Sequence, residues 1–410
     1  MHRGTIAAVA AAIAVGVLAG FAGPASAQVT AYEGVRLIVG NGNAPIENAT
    51  LVVDGAKIAQ AGTAADVRVP AGATRVNLAG KTVMPMLIDA HVHLNPTRDR
   101  LIRDLKQRAY FGVSTVASMG LDNYELLDIR GHTMPDAARF LSAGRGITMP
   151  EPGRLTTPHW ITTEAEARKA VQELAEKKVD IVKIWVDTRE GKYKKLPPEF
   201  YAPIIEEAHK HGLRVIAHIF DMDDAKGLMR AGLDAFAHGV RDKDIDDETV
   251  AMFKERPNLV LTPNLPERGV KTDISWIKPG ISADEFEKLE KANIDSPVAQ
   301  VFHAIQARNL AKLNGIGVRI ILGTDGNRPW AAHEEAEDMV LAGMTPMQVI
   351  VAATRNGAEF LRLPETGTLE TGKSADFLVL DANPLDDITN TRKISSVVLR
   401  GVILDRTKAP

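Results

Sequence analysis

Residues 85–363 alternate short apolar segments with amphipathic ones, and this repeat restricts the fold more than any other feature of the chain. The apolar segments resemble buried strands, whereas segments such as TEAEARKAVQELAEKK have the period of helices. The strand candidates are MLIDAHVH, VSTVASMG, ARFLSAGRGI, DIVKIWVD, LRVIAHIF, LDAFAHGV, NLVLTPNL and VRIILGTDG. Eight such units predict an α/β protein with a closed (β/α)8 TIM barrel. An open doubly wound sheet is the main alternative, but no Gly-X-Gly-X-X-Gly follows a strand candidate.

The two ends of the chain have a different texture from the repeat. EGVRLIVGNGNAPIENATLVVDGAKIAQAG near the start, and GKSADFLVLDANPLDD with ISSVVLRGVILD near the end, alternate apolar runs with turn residues. Neither end is long enough to bury a core alone. We therefore predict one small β-sandwich domain formed by residues 28–84 and 364–410, beside a barrel of residues 85–363. The stretch 266–317 is too long for a plain loop and predicts extra helices before the last strand.

The first residues predict export from the cytoplasm. Residues 1–27 combine a basic start, an apolar stretch and the small residues Ala25-Ser26-Ala27, as a cleavable signal peptide does. The alternative is an uncleaved membrane anchor, although the apolar stretch is short. The mature protein is expected to be periplasmic or secreted, without stable membrane association.

Composition excludes several classes of site and partner. The chain contains no Cys, so disulfides, thiolate ligands and a cysteine nucleophile are excluded. Its formal net charge is -3, with both signs mixed along the sequence, and this pattern does not predict a nucleic-acid partner. We therefore expect a small-molecule substrate. The sequence leaves open whether the chain forms a homo-oligomer.

Titratable residues interrupt five of the eight strand candidates. Active sites of such barrels lie at the carboxyl ends of the strands, so side chains that are distant in sequence can meet there. The residues are His91 and His93 on strand one, Lys183 on strand four, His218 on strand five, His238 on strand six and Asp325 on strand eight. An unpaired lysine is especially costly to bury, so one common site explains the set better than separate accidents do.

His91 and His93 differ from the other His-X-His pair of the chain, His209 and His211. Alternate residues of a strand face the same side, so His91 and His93 can reach one centre. His209 and His211 end a predicted helix before Gly212, and residues two apart on a helix point to nearly opposite sides. We expect only the first pair to bind a metal.

The chemistry of the set indicates a divalent metal ion. Four imidazoles and a carboxylate without thiolates suit an ion such as zinc. Burial beside cations would favour the neutral amine of Lys183. Carbon dioxide can convert that amine into a carbamate, which is a carboxylate able to bridge two metals.

The order His-X-His, Lys, His, His, Asp resembles the amidohydrolase superfamily, and within it the members with two metals bridged by a carboxylated lysine. The segments GTDG and HEEAEDMVLAGMTPMQVIVAATRNGAEFLRL, and the later GTLETGKSADFLVLDANPLDDI, resemble the end of that superfamily as well. The likeness extends from about residue 31 to the end of the chain. It is strongest to exported dipeptidase-like members related to prolidases and imidazolonepropionase-like proteins.

The resemblance implies two divalent metal ions, zinc by preference, and different roles for the six residues. His91 and His93 would bind the more buried ion together with Asp325, and His218 and His238 the second. Carboxylated Lys183 would bridge the two ions. A bridging hydroxide would attack the substrate carbonyl, and Asp325 would pass its proton to the leaving amine.

The substrate is harder to predict, because the loops after the strands set specificity. Arg98, Tyr193 and Arg328 lie in such loops and are candidates for gripping a substrate carboxylate. The loop after strand three, GRGITMPEPGRLTTPHW, lacks the Gly-Gly-His-Gly of many dipeptidase-like relatives, and His159 is a displaced substitute. Hydrolysis of an amide or peptide bond in a dipeptide or N-acyl amino acid is the first expectation. Hydrolysis of an ester, lactone or phosphotriester is the alternative, and a non-catalytic binding protein is a third reading.

Overall fold

The computed structural model describes residues 29–410. The predicted signal peptide, residues 1–27, lies outside the described residues. Within 29–410, no helix is long and apolar enough to cross a bilayer.

The described residues form strands and helices in alternation along most of the chain. The strands are β1 (Thr30–Leu37), β2 (Ile46–Asp54), β3 (Lys57–Thr63), β4 (Thr74–Asn77), β5 (Thr82–Pro85), β6 (Leu87–Val92), β7 (Val113–Ser118), β8 (Arg139–Ser142), β9 (Ile147–Thr148), β10 (His159–Trp160), β11 (Val182–Val186), β12 (Val215–Ile219), β13 (Ala235–Ala237), β14 (Val260–Thr262), β15 (Arg319–Ile320), β16 (Phe377–Leu380), β17 (Ile394–Leu399) and β18 (Val402–Ile403). The α-helices are α1 (Arg98–Tyr110), α2 (Glu164–Glu176), α3 (Pro198–Lys210), α4 (Met222–Arg230), α5 (Asp247–Lys254), α6 (Ala283–Ala292), α7 (Pro297–Gly315), α8 (Ala331–Leu341), α9 (Pro346–Val351) and α10 (Gly357–Phe360). A π-helical turn, Ala352–Asn356, joins α9 to α10.

The two ends of the chain share one sheet. Its strand order is β18-β17-β16-β5-β1-β2-β3, and β4 pairs with β1 outside this path. β5 pairs with β1 on one side and with β16 on the other, so the C-terminal strands extend the N-terminal sheet. The strands of both ends therefore form a single hydrogen-bonded sheet, whereas the folding of that sheet into the two layers of a sandwich stays a prediction. The rings of Tyr32 and Phe377, 5.1 Å apart, join the two ends in one apolar cluster.

The central strands are parallel and alternate with helices, which confirms the α/β class. They form a three-stranded sheet, β6-β7-β8, and a seven-stranded sheet, β10-β9-β11-β12-β13-β14-β15. Each strand candidate of the sequence contains one of these strands, and the third contains both β8 and β9. Every residue of β6, β11 and β12 is buried, as expected for parallel strands with both faces covered.

The two parallel sheets meet without forming one continuous ladder over residues 29–410. At one edge, the amide of Asp180 donates to the carbonyl of Ser142 at 3.0 Å; at the other, the amide of Ala90 donates to the carbonyl of Leu322 at 2.9 Å. The interruption at the first edge coincides with Gly144, whose φ of 59° turns the chain between β8 and β9. The closed barrel thus stays a prediction, whereas the parallel α/β arrangement is observed.

The stretch 266–317 contains the extra helices that its length predicted. α6 and α7 both begin at a serine N-cap, where the side chains of Ser282 and Ser296 accept hydrogen bonds from the amides of Glu285 and Ala299. The Asn309 side chain of α7 bonds backbone groups of residues 240–245, after β13. The inserted helices are therefore fixed beside the carboxyl ends of the parallel strands.

Candidate metal centre

The structure brings the six predicted residues together at the carboxyl ends of the parallel strands. They come from five separate strands or the loops that follow them: His91 and His93 at β6, Lys183 in β11, His218 in β12, His238 after β13 and Asp325 after β15. His209 and His211, at the end of α3, stay apart from this group, and His209 contacts Asp234 instead.

The carboxylate of Asp325 is the central contact of the group. Its Oδ1 lies 3.2 Å from Nε2 of His91 and 3.0 Å from Nε2 of His93. Its Oδ2 lies 3.3 Å from Nε2 of His238. Burial acts to raise the pKa of Asp325, but His91 and His93 together hold it well below its usual value. The carboxylate is therefore ionised and faces three imidazole nitrogens.

Lys183 is fully buried within the same group. Its Nζ lies 3.1 Å from Nε2 of His91 and 5.5 Å from the centre of the Trp185 ring. Burial is the main cause that lowers the pKa of Lys183 from 10.5 to about 7; Asp325 opposes this shift, and Arg241 and Arg189 contribute to it. A substantial fraction of this lysine is therefore a neutral amine at neutral pH.

His218 lies against His238, with their ring centres 4.7 Å apart. Its Nε2 is 2.8 Å from Oδ2 of Asp187 and 3.1 Å from Nη1 of Arg189. Burial, and then Arg241 and Arg189, lower the pKa of His218 well below 6.5. His218 is thus a neutral imidazole, which is the form that binds metals.

Unsatisfied nitrogens show that the group suits a metal ion. His238 is 1% exposed, yet neither of its ring nitrogens has a hydrogen-bond partner among residues 29–410, and the same is true of Nδ1 of His93. Buried polar atoms are nearly always bonded. One ligand atom each from His91, His93 and Asp325 lie within 4.8 Å of one another. The donors available are those that zinc and similar ions take.

Two residues of the group have left-handed backbones. The φ angle is 87° at His238 and 53° at Asp325. Such angles cost about 1–3 kcal/mol for residues other than glycine and are typical of functional sites. These backbone angles direct both side chains toward the other predicted ligands.

A buried ion pair lies next to the predicted metal ligands and connects two of the segments that carry them. The Asp89 carboxylate accepts hydrogen bonds from the Thr324 amide at 3.1 Å and the Thr324 hydroxyl at 2.9 Å. Arg108 of α1 donates to Asp89 at 3.4 Å and to the carbonyl of Gly326 at 3.1 Å, and both charged residues are fully buried. The pair thereby joins the Asp325 loop to the strand that carries His91. Sequence reasoning missed it, although Asp89 shares the strand face of His91 and His93.

Replacement of Arg108 by Met should destabilise the protein by about 3–5 kcal/mol, because the buried Asp89 would lose the one cation that pairs with it within residues 29–410. Urea unfolding of the metal-free protein measures this effect. Arg98→Met is the matched control, since Arg98 lies on the same helix in an exposed pair with Asp128 and should cost at most about 1 kcal/mol. Equal losses in the two variants would show that the Arg108 pair has no special role.

A cavity of about 340 Å³ opens over the predicted ligands. It is lined by His93, Leu121, Thr148, Glu151, Arg154, Leu155, Pro158, Trp185, Arg189, His218, Arg241 and Asp325. Three arginines and one aromatic ring therefore surround the space in which a substrate would meet the metal-binding residues.

The four residues predicted to contact substrate do not line this cavity. Arg98 pairs with Asp128 at 2.8 Å, and Arg328 pairs with Glu267 at 2.7 Å, so both charges are already neutralised. That assignment of Arg98 and Arg328 is not supported by the structure.

His159 and Tyr193 are also engaged elsewhere. Nε2 of His159 lies 2.9 Å from the hydroxyl of Tyr124, and the hydroxyl of Tyr193 donates to the carbonyl of Pro152 at 3.1 Å. The basic lining residues Arg154, Arg189 and Arg241 were missed. Arg241 had one visible signal, its position three residues after His238.

Comparisons with known proteins agree with this geometry. Residues 82–404 match the Amidohydrolase family. The chain is similar to ochratoxinase of Aspergillus niger, with 26% identity over 88% of this chain and 83% of the relative. It is similar to imidazolonepropionase of Shouchella clausii, with 25% identity over 88% of each chain. The solved structure of a candidate prolidase from Bifidobacterium longum has a TM-score of 0.77 and 28% identity, over 94% of this chain and 96% of that one. The chain therefore belongs to the amidohydrolase family and is a metal-dependent hydrolase.

Proposed function

We propose that this enzyme cleaves an amide or peptide C–N bond of a small substrate, either a dipeptide or an N-acyl amino acid. The observation that carries the proposal is the convergence of six side chains, four His, one Lys and one Asp, into one group, three members of which line a cavity. The candidate prolidase among the similar proteins favours a peptide-type substrate. We also propose that the two parallel sheets form the wall of one barrel and that residues 28–84 and 364–410 form a separate domain.

The residues fit two divalent ions, with zinc as the first choice. His91, His93 and Asp325 would hold one ion, and His218 and His238 the other. The neutral Lys183 amine would add to carbon dioxide, forming an N–C bond and releasing one proton, and the resulting carboxylate would join the two sites. When bound, such ions make a water nucleophile available at neutral pH and polarise a carbonyl.

The chain itself supplies proton transfer and exclusion of water. Asp325 is the carboxylate that contacts three of the four imidazoles, and it accepts the proton of the attacking nucleophile and delivers it to the leaving amine nitrogen. Trp185 and Leu121 contribute apolar surface beside the reacting group. Arg108 and Asp89 act as positioning residues, because they hold the loop that carries Asp325.

Removal of the metals should abolish hydrolysis and lower the melting temperature. Native-state binding at about 100 times the Kd stabilises by about 2.7 kcal/mol, which for a chain of this length corresponds to a fall in Tm of about 3–4 °C on removal. Dialysis against a chelator, metal analysis and differential scanning calorimetry measure both effects. Zinc should restore both, and full activity in a metal-free preparation would contradict the proposal.

A panel of substrates separates this function from the alternatives. It contains dipeptides, N-acyl amino acids, lactones and an aryl phosphotriester. Preference for the lactone or the phosphotriester would favour the second candidate, which is suggested by the missing Gly-Gly-His-Gly and by the engaged His159. Two bound metals without turnover on any substrate would favour a binding protein.

We further propose that residues 1–27 direct export and are removed, so that the mature enzyme acts in the periplasm or outside the cell. Its formal charge and small cavity favour a small-molecule substrate over a nucleic acid.

A further inference from the structure

Arg241 presents a positive charge without a direct ion-pair partner to the cavity beside the predicted metal ligands. The residue lines the cavity together with His218 and Asp325. Its side chain has no hydrogen bond and no ion pair within residues 29–410, and its buried Nε lacks a partner. A buried charge without a partner is costly, so its presence needs an explanation.

The other two arginines of the cavity have partners. Glu151 accepts from Arg154 at 2.5 Å and from Arg189 at 3.2 Å, and Asp187 pairs with Arg189 at 3.0 Å. The carboxylates of Glu151 and Asp187 are therefore already paired with Arg154 and Arg189. Arg241 is therefore the one cavity arginine whose side chain has neither a hydrogen bond nor an ion pair in the described chain.

The surroundings of Arg241 disfavour the protonated, positively charged form of its side chain. Burial lowers the pKa of the Arg241 guanidinium to about 10, and Arg189 contributes to this effect, while Asp325 and Asp187 act against it. The attraction of these carboxylates is therefore too weak to offset burial. Positive ions at the neighbouring His218 and His238 would increase the demand for an anion.

The backbone of Arg241 is fixed where an anion could reach it. Its amide donates to the carbonyl of Phe220 at 2.9 Å, which joins the segments after β12 and β13. These segments carry His218 and His238, the proposed ligands of the second ion. A planar guanidinium held there can bind a carboxylate through two parallel hydrogen bonds.

We infer that Arg241 binds a free carboxylate of the substrate and thereby selects N-acyl amino acids or dipeptides over neutral amides. The inference rests on the proposed amide hydrolysis. It assigns the carboxylate to the side of the cavity formed by the segments after β12 and β13. The predicted anchors Arg98 and Arg328 lie in ion pairs elsewhere.

The first test compares two substrates that differ only in the carboxylate: the best N-acyl amino acid of the panel and the N-acyl amine that lacks its carboxyl group. Wild type should prefer the acid by about 100-fold in kcat/KM. Arg241→Gln should lose about that factor on the acid and change by only a few-fold on the amine. An equal loss on both substrates would overturn the inference, because it would indicate a general structural effect.

Arg154→Gln is the matched control. It removes the same charge from the same cavity, but Arg154 is partly exposed and already paired with Glu151. We expect it to reduce the preference for the acid by only a few-fold. A loss as large as that of Arg241→Gln would show that the total charge of the cavity, and not the position of Arg241, selects the substrate.

Binding gives a readout that does not depend on turnover. Calorimetry with the amino acid product should show binding to zinc-loaded wild type and about 100-fold weaker binding to Arg241→Gln. Arg241→Gln should not lower the Tm of the metal-free protein, whereas a purely structural arginine would. Arg241-dependent binding without hydrolysis of any amide would preserve the inference and reject the proposed function; binding that is equal in both proteins would reject the inference.

Discussion

Asp325→Asn should reduce kcat/KM by about 1,000-fold while the protein keeps much of its metal. The amide cannot accept a proton as the carboxylate does, and positioned acid–base groups contribute about 10²–10⁴-fold. The imidazoles of His91 and His93 remain available as ligands. Steady-state kinetics and metal analysis on the same preparation test both statements.

Asparagine is the appropriate replacement at this position for a structural reason. The φ of Asp325 is 53°, a left-handed angle that Asn tolerates better than Ala. Asp128→Asn is the control, since Asp128 makes an exposed pair with Arg98 and should leave kinetics unchanged. Turnover of Asp325→Asn within a few-fold of wild type would refute the proton-transfer role.

Lys183→Met should lose about 1,000-fold in activity together with at least one metal ion per chain. The methionine keeps the volume and the apolar stem but cannot form a carbamate. One lost ion removes several kcal/mol of charge stabilisation from the reaction. Metal analysis measures the number of ions per chain. ¹³C NMR after incubation with labelled bicarbonate should show a carbamate signal in wild type and none in Lys183→Met.

Lys226→Met provides the matched control for this experiment. Lys226 is also largely buried, but its ammonium pairs with Asp246 and Glu248 at 2.6 Å. Its replacement should lower stability and leave the metal content and the carbamate signal intact. If Lys183→Met retained two ions and nearly full turnover, the bridging role of Lys183 would be wrong.

The proximity of the six predicted ligands could be inferred from the sequence because strand geometry alone determines where they meet. His91 and His93 share a face of β6 through the period of two, and Lys183, His218 and Asp325 interrupt or follow other apolar strands. Parallel strands bring such positions to one edge regardless of loop conformation. Their mutual distances of about 3 Å agree with that reasoning.

The substrate contacts could not be found in the same way, because loop side chains choose partners that are distant in sequence. Arg98 forms an ion pair with Asp128, and Arg328 forms one with Glu267. The local sequence indicates neither pairing. The strand order of the terminal segments could not be predicted for a similar reason. Turn-rich segments reveal strands, but only the pairing of β5 with β16 decides that the strands extend one sheet.

The pairing of β5 with β16 also has a consequence for biosynthesis. β5 ends at Pro85 and β6 begins at Leu87, so the strand that carries His91 follows immediately after one that is completed only by residues 377–380. A nascent chain cannot finish this sheet until nearly all of it has left the ribosome. Premature termination before β16 should therefore yield a product in which β5, and with it the start of β6, lacks one of its two neighbouring strands.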